Sequence, residues 1–273
     1  MMITGLMFRD GVISGSNNIA NNRQAVDALN IFPVPDGDTG TNMSMTIGAA
    51  AKEMAVLPEN CTVEEASARC ASALLRGARG NSGVILSLIF RGFSKALRGM
   101  EEADGAAVAA AFRKGVDAAY KAVMKPTEGT ILTVIRKAAE AAEQIAASNN
   151  DAWTVCCAAM AAAEEALAKT PEQLPVLKKA GVVDAGGKGY LIILEGMLRA
   201  LRGEEIPEVE EQTEEKADFA AIGDEDITFA FDTVFIVRKT TDRPLDGLRE
   251  YLGSIGDSLV IGEDDESFKV HVH

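Results

Sequence analysis

One event recurs four times along this 273-residue chain: a short run of glycine and small polar residues opens directly into an apolar segment with helical periodicity. It occurs at Asp36–Asn42 (DGDTGTN), Gly77–Gly83 (GARGNSG), Pro126–Thr130 (PTEGT) and Val183–Gly189 (VDAGGKG). After a short lead over Met1–Val12, the spacing of apolar residues predicts a helix from a Ser16 cap through Leu29, with Asn17, Asn18, Asn21 and Asn22 on a solvated face. A second helix is expected over Asn42–Met54, and a third from a Thr62 cap, with Glu65 as capping-box partner, to Leu75. VILSLIF, Asp104–Val123, a long helix opened by Pro126 and Thr127, Asn149–Ala168 and the segment after Asp184 complete the series. Abundant alanine with 5% aromatic residues suits closely packed helices better than a β-sandwich. If the four entrances gather at one end of such a bundle, their N-terminal amides surround a shared anion with partial positive charge.

The first entrance is the densest. In Asn30–Met43 (NIFPVPDGDTGTNM), Pro33 and Pro35 stiffen the approach, and Gly37 lets the backbone bend so that Asp36 and Asp38 turn toward one point. Two carboxylates converging on a rigid loop call for a hard divalent cation such as Mg²⁺. Thr39, Gly40, Thr41 and Asn42 then supply hydroxyls, an amide and backbone N–H groups at a helix N-terminus, where phosphate binds well. The second entrance offers Gly80, Asn81 and Ser82 as further phosphate or base contacts. No G-x-x-x-x-G-K-[ST] loop is present, so this is not a P-loop protein.

The net charge of −14 argues against nucleic-acid binding, which needs a basic footprint. Cys61, Cys70, Cys156 and Cys157 lack metal-ligand spacing and read as buried thiols. Neither a signal peptide nor an apolar run of membrane-spanning length is visible, and a reducing cytoplasm is the expected setting.

Composition changes after the last helix. Residues 1–202 read as one helical domain, 203–226 as a flexible acidic linker, and 227–273 as a small α/β domain. In that last part ITFAFDTVFIVRK, DSLVIG and SFKVHVH alternate as strands and PLDGLREYLGSI reads as a short helix. The strand pattern is unfinished at His273, so the small domain is expected to be truncated. Both histidines of the chain, His271 and His273, fall on this strand, which leaves the helical part without a Ser-His or Cys-His nucleophile. Phosphoryl transfer stays open, since it relies on positioning and charge neutralisation.

Phe32–Met43 (FPVPDGDTGTNM), GARGNSG, PTEGT, VVDAGGKGY and the final VHVH together resemble the DhaL-like (DAK2) nucleotide-binding domain. That domain is shared by dihydroxyacetone kinase L subunits and the catalytic subunit of bacterial fatty acid kinase, and PVPDGDTGTN resembles the fatty acid kinase branch. The resemblance implies a mainly α fold, a barrel of about eight antiparallel helices, followed by the small α/β domain. It assigns Asp36 and Asp38 to Mg²⁺ ions bridging the phosphates of ATP, with Asn30 near the place of a third ligand. It gives phosphate contacts to Thr39, Gly40, Thr41, Asn42, Gly80, Asn81 and Ser82, and nucleotide-enclosing roles to Thr130 and to Asp184, Ala185 and Gly186. It points to a Zn²⁺ site at Asp232, His271 and His273, where Asp232 stands at a position often held by cysteine.

The function expected is a kinase subunit that transfers the γ-phosphate of Mg·ATP to the carboxylate of a fatty acid held by a separate, DegV-like binding protein. A carboxylate acceptor is already ionised at neutral pH and needs no general base, which fits a helical part without histidine. A dihydroxyacetone-type phosphotransfer subunit and a non-catalytic nucleotide-binding scaffold are the alternatives. A homodimer is left open.

Overall fold

The computed structural model describes residues 1–210, 233–241, 243–256, 258–263 and 267–272. Eight long helices form a closed antiparallel barrel: α1 (Gly5–Asp27), α2 (Thr39–Met54), α3 (Val63–Gly77), α4 (Gly80–Ala96), α5 (Gly105–Ala122), α6 (Ile131–Ala146), α7 (Ala152–Ala168) and α10 (Ala185–Leu201). Each packs on the next in sequence, and α10 closes the ring against α7 and α1. The short α8 (Thr170–Gln173) and α9 (Pro175–Ala180) carry the chain from α7 to α10. A two-residue ribbon, β1 (Ile3–Thr4) with β2 (Glu102–Ala103), fastens the far end. Among the described residues no helix is long and apolar enough to cross a membrane.

Local signals start most of these helices. The capping box at α3 forms as expected, with the Glu65 amide donating to Thr62 Oγ1 (3.1 Å) and the Thr62 amide donating to Glu65 Oε2 (2.9 Å). Asp104, Asp151 and Asp184 cap α5, α7 and α10.

Two boundaries depart from expectation. Helix α1 begins at Gly5, capped by Thr4, so the supposed lead is helical. Within α1, Gly15 meets Gly196 of α10 so closely that a Cβ on Gly196 would lie 2.7 Å from Gly15 Cα. Intimate helix packing here outweighs the low helix propensity of glycine. Helix α6 starts at Ile131 and not at Pro126, because Pro126–Thr130 is held as a loop described below.

The asparagine face of α1 is not solvated. Asn18 is buried and donates to the Ile192 carbonyl of α10 (2.7 Å). Asn17 donates to the Pro207 carbonyl (2.8 Å), and Asn21 both donates to the Glu208 carbonyl (2.8 Å) and accepts from the Glu210 amide (2.9 Å). The first part of the expected acidic linker is thus strapped along α1. Residues 211–226 of that linker lie outside the described residues.

The C-terminal elements are β3 (Thr233–Arg238), α11 (Asp246–Ile255), β4 (Val260–Glu263) and β5 (Ser267–Val272), forming an antiparallel sheet of order β3-β5-β4. One face covers α11 through Ile261, Val270, Val272 and Leu252. The opposite face turns to the barrel. Register puts Val260 opposite His271 and Gly262 opposite Lys269, and Val260 packs with Ala78, Val84, Leu88 and Ala122. The strands and helix expected over 233–272 are therefore present, and their second face is occupied by the barrel.

Candidate functional site

Alternation of direction around the ring brings the N-termini of α2, α4, α6 and α10 to one end. Specific contacts join neighbouring entrances. Gly80, at φ +55°, lies under Asn42, where a Cβ would fall 2.4 Å from Asn42 Nδ2. Thr46 Oγ1 donates to the Asn42 carbonyl (2.6 Å) and accepts the Arg79 amide (3.0 Å), tying α2 to the Gly77–Gly83 loop. A Cβ on Gly189 would meet Met43 Sδ, so α10 abuts α2. The Asp184 carboxylate accepts from the amides of Gly187 and Ile131, linking the starts of α10 and α6.

The two carboxylates of the first loop meet. Although the Asp36 side chain reaches solvent, partial desolvation in the loop pushes its carboxyl up to about 6. The Asp38 charge and a hydrogen bond with Asp38 add to the shift. Asn30 stands directly behind: its Nδ2 donates to Asp36 Oδ1 (2.8 Å) and to the Val34 carbonyl (2.7 Å), while its Oδ1 accepts from the Thr39 hydroxyl. Both ends of Asn30 are thus engaged within the loop, and it orients Asp36. Among the described residues no three His, Cys, Asp or Glu side chains converge on a common point.

Thr41, expected among the phosphate contacts, is otherwise occupied. Its amide (2.9 Å) and hydroxyl (2.7 Å) both donate to the Asp27 carboxylate at the end of α1. In the second loop, Asn81 Oδ1 is buried with no hydrogen-bond partner among the described residues, an acceptor that a ligand donor would satisfy. Thr130 is buried, donating to the Thr127 carbonyl (2.7 Å) and accepting from the Leu132 amide (3.3 Å). Asp184, Ala185 and Gly186 are buried as well, so Thr130 and Asp184 act as framework of the rim through their side chains. Burial pushes the Asp184 carboxyl up to about 6, against the two amide bonds it accepts.

Four further residues shape this end without a sequence signal. Asp27 and Thr46 are two. A third, Glu128, braces the PTEGT loop: it accepts from Thr133 (2.7 Å), Tyr120 (3.1 Å) and Arg136 (2.6 Å). The fourth, Lys269 on β5, is 5% exposed and donates to the Ala78 carbonyl. Each meets a partner on another element or turn, beyond the reach of a local motif.

Asp232 and His273 of the expected zinc site lie outside the described residues, and His271 is buried on the barrel-facing side of β5. The cysteines are free thiols, with Cys61, Cys70 and Cys156 buried; burial pushes the Cys156 thiol up to about 12.

A model of the DAK2 domain matches residues 33–199, and a model of the FakA-like middle domain of fatty acid kinase matches residues 228–273. Protein YloV of Bacillus subtilis is 43% identical over 99% of the chain, and an uncharacterized protein of Staphylococcus saprophyticus is 44% identical over the same share. Each match takes in 51% of the relative, so the chain spans about half the length of these curated relatives. Among solved structures, the dihydroxyacetone kinase of C. freundii aligns with 71% of this chain and 34% of its own, at a TM-score of 0.52 and 20% identity. That likeness is one of fold.

Proposed function

Because the chain belongs to the DAK2-domain family and continues into a FakA-like middle domain, we propose that it is the ATP-binding subunit of a kinase whose acceptor is a fatty acid carboxylate. The observation that carries the reading is the joining of two half-sites. The Asp36–Asp38 pair lies at the start of α2, and Asn42, one turn on, covers Gly80 of the second loop. A cation site and an anion-binding helix entrance are thus contiguous, as a metal-bound nucleotide requires.

The residues fit Mg²⁺, since both carboxylates are hard oxygen donors that meet in one loop, one of them oriented by Asn30. Asp36 and Asp38 would hold the ion, with Asn30 fixing Asp36; a direct ligand role would require Asn30 Oδ1 to release Thr39. When bound, Mg²⁺ neutralises charge on the transferring phosphoryl group. The amides of Thr39, Gly40, Gly80, Asn81 and Ser82, with the Asn42 side chain, are placed to bind phosphate oxygens. Thr130 and Asp184–Gly186 shape the rim around the nucleotide.

The acceptor carboxylate attacks the γ-phosphorus, the bond to the β-phosphate oxygen breaks, and ADP leaves with the electron pair, giving acyl phosphate. The acceptor arrives ionised, so no base is required of this chain. A separate DegV-like, cytoplasmic fatty-acid-binding protein would present the acyl chain. The test is Mg²⁺-dependent ATP consumption with a fatty-acid-loaded carrier, with dihydroxyacetone and its own partner protein, and with neither. Turnover only with the loaded carrier is expected. Turnover with dihydroxyacetone would transfer the chain to that branch, and nucleotide binding without turnover in any arm would make it a scaffold.

A further inference from the structure

Lys269 is a buried cation with an uncommon position. It projects from the middle strand of the C-terminal sheet toward the barrel and donates to the carbonyl of Ala78, a residue 191 positions away. Among the described residues no carboxylate pairs with it, and its charged neighbour is Arg79. An ammonium held in this way is costly to bury, so its retention calls for a specific use.

The loop it touches is the second entrance of the site. Ala78 is fully buried between the end of α3 and the start of α4, and the next amide, that of Arg79, is fixed by Thr46. One peptide unit is therefore gripped twice: its carbonyl by Lys269 from the sheet and its N–H by Thr46 from α2. The grip precedes Gly80, whose φ of +55° orients the amides of Gly80, Asn81 and Ser82. Val260 seals the same corner by packing on Ala78, Val84 and Leu88, and an isolated bridge joins Val123 to Val260.

We propose that Lys269 is a positioning residue for the nucleotide site: by clamping the Ala78–Arg79 peptide it makes nucleotide affinity of the barrel depend on the docked C-terminal sheet. This rests on the nucleotide reading above and adds to it a route by which the sheet governs the site. The coupling works both ways, so bound nucleotide also holds the sheet on the barrel.

The test uses the full chain with Lys269→Met, which keeps side-chain length and removes the charge, and Lys269→Arg, which retains a cationic donor. Three quantities are read: the melting temperature, amide hydrogen exchange over residues 79–83, and Mg·ATP affinity by calorimetry. Lys269→Met is expected to melt at or above the wild-type temperature, because a buried charge is gone. It should still exchange about tenfold faster over 79–83 and bind Mg·ATP about tenfold more weakly, the scale of one charge-assisted hydrogen bond. Lys269→Arg should recover part of both losses. Wild-type exchange in Lys269→Met would overturn the clamp, and faster exchange with wild-type affinity would overturn its link to the nucleotide. A chain that fails to bind Mg·ATP even as wild type would refute the nucleotide reading itself, while the exchange measurement would still judge the clamp.

Discussion

The Asp27 carboxylate at the end of α1 accepts two hydrogen bonds from Thr41, one from its amide at 2.9 Å and one from its hydroxyl at 2.7 Å. An internal anion therefore already occupies part of the α2 N-terminus. Asp27→Ala removes a cap from outside the helix and is expected to destabilise the protein by about 1–2 kcal/mol. A double-mutant cycle with Thr41→Val in urea should return about half of that value as coupling, because the bond from the Thr41 amide survives that substitution. Additive losses would show that the two side chains act separately.

Asp38→Ala is expected to abolish Mg²⁺-dependent nucleotide binding while leaving the metal-free melting temperature nearly unchanged. Two neighbouring carboxylates repel each other without their cation, so removing one relieves as much as it disrupts. Titration calorimetry with Mg·ATP and a melting curve on the same preparation decide the matter. Unaltered affinity would remove the metal role from this pair.

Asp184 gives a pH dependence whose sign is set by its raised pKa. Its folded value of about 6 exceeds the ordinary 3.8, so its stabilising contribution is complete below pH 3.8 and is lost as pH rises through about 6. The shift corresponds to roughly 3 kcal/mol. Asp184→Asn keeps an oxygen for the Gly187 amide and cannot ionise. Urea unfolding from pH 4 to pH 7 should show the variant gaining on the wild type throughout that window. Parallel pH profiles would mean that the two amide bonds to the carboxylate offset its burial completely.

The strap on α1 predicts a pattern of proteolysis. With Asn17 and Asn21 holding Pro207, Glu208 and Glu210, cleavage after Glu208 should be slow in the wild type. Asn17→Ala with Asn21→Ala should accelerate it about tenfold or more, as three hydrogen bonds are lost. A glutamate-specific protease and mass spectrometry of the fragments would measure this. Equal rates would show that this segment leaves α1 readily on its own.

Local chemistry made much of the architecture legible. Thr62 and Glu65 announce the start of α3 because a capping box closes within three residues, and alternating TVFIVR and SFKVHV announce strands because neighbouring residues face opposite sides. Asp36, Gly37 and Asp38 likewise show their convergence in three adjacent letters, and the structure adds that desolvation in the loop, then the Asp38 charge, raises the pKa of Asp36.

Glycine misled where its reason lay elsewhere in the chain. Gly11 and Gly15 sit inside α1 because α10 lies against them and Gly5 because the Cys61 and Thr62 carbonyls do, and Pro126–Thr130 looks like a helix start until Arg136, Tyr120 and Thr133 hold Glu128.

By itself, the sequence determined the helices, the four polar entrances and the carboxylate pair, because capping, periodicity and turn chemistry act over a few residues. Only the tertiary structure decided that Thr41 serves Asp27, that Asn17 of α1 holds a residue 190 positions away, and that Lys269 closes on Ala78. Those pairings depend on which helix ends meet when the ring closes, and ring closure is set by the summed burial of apolar faces, not by any one segment.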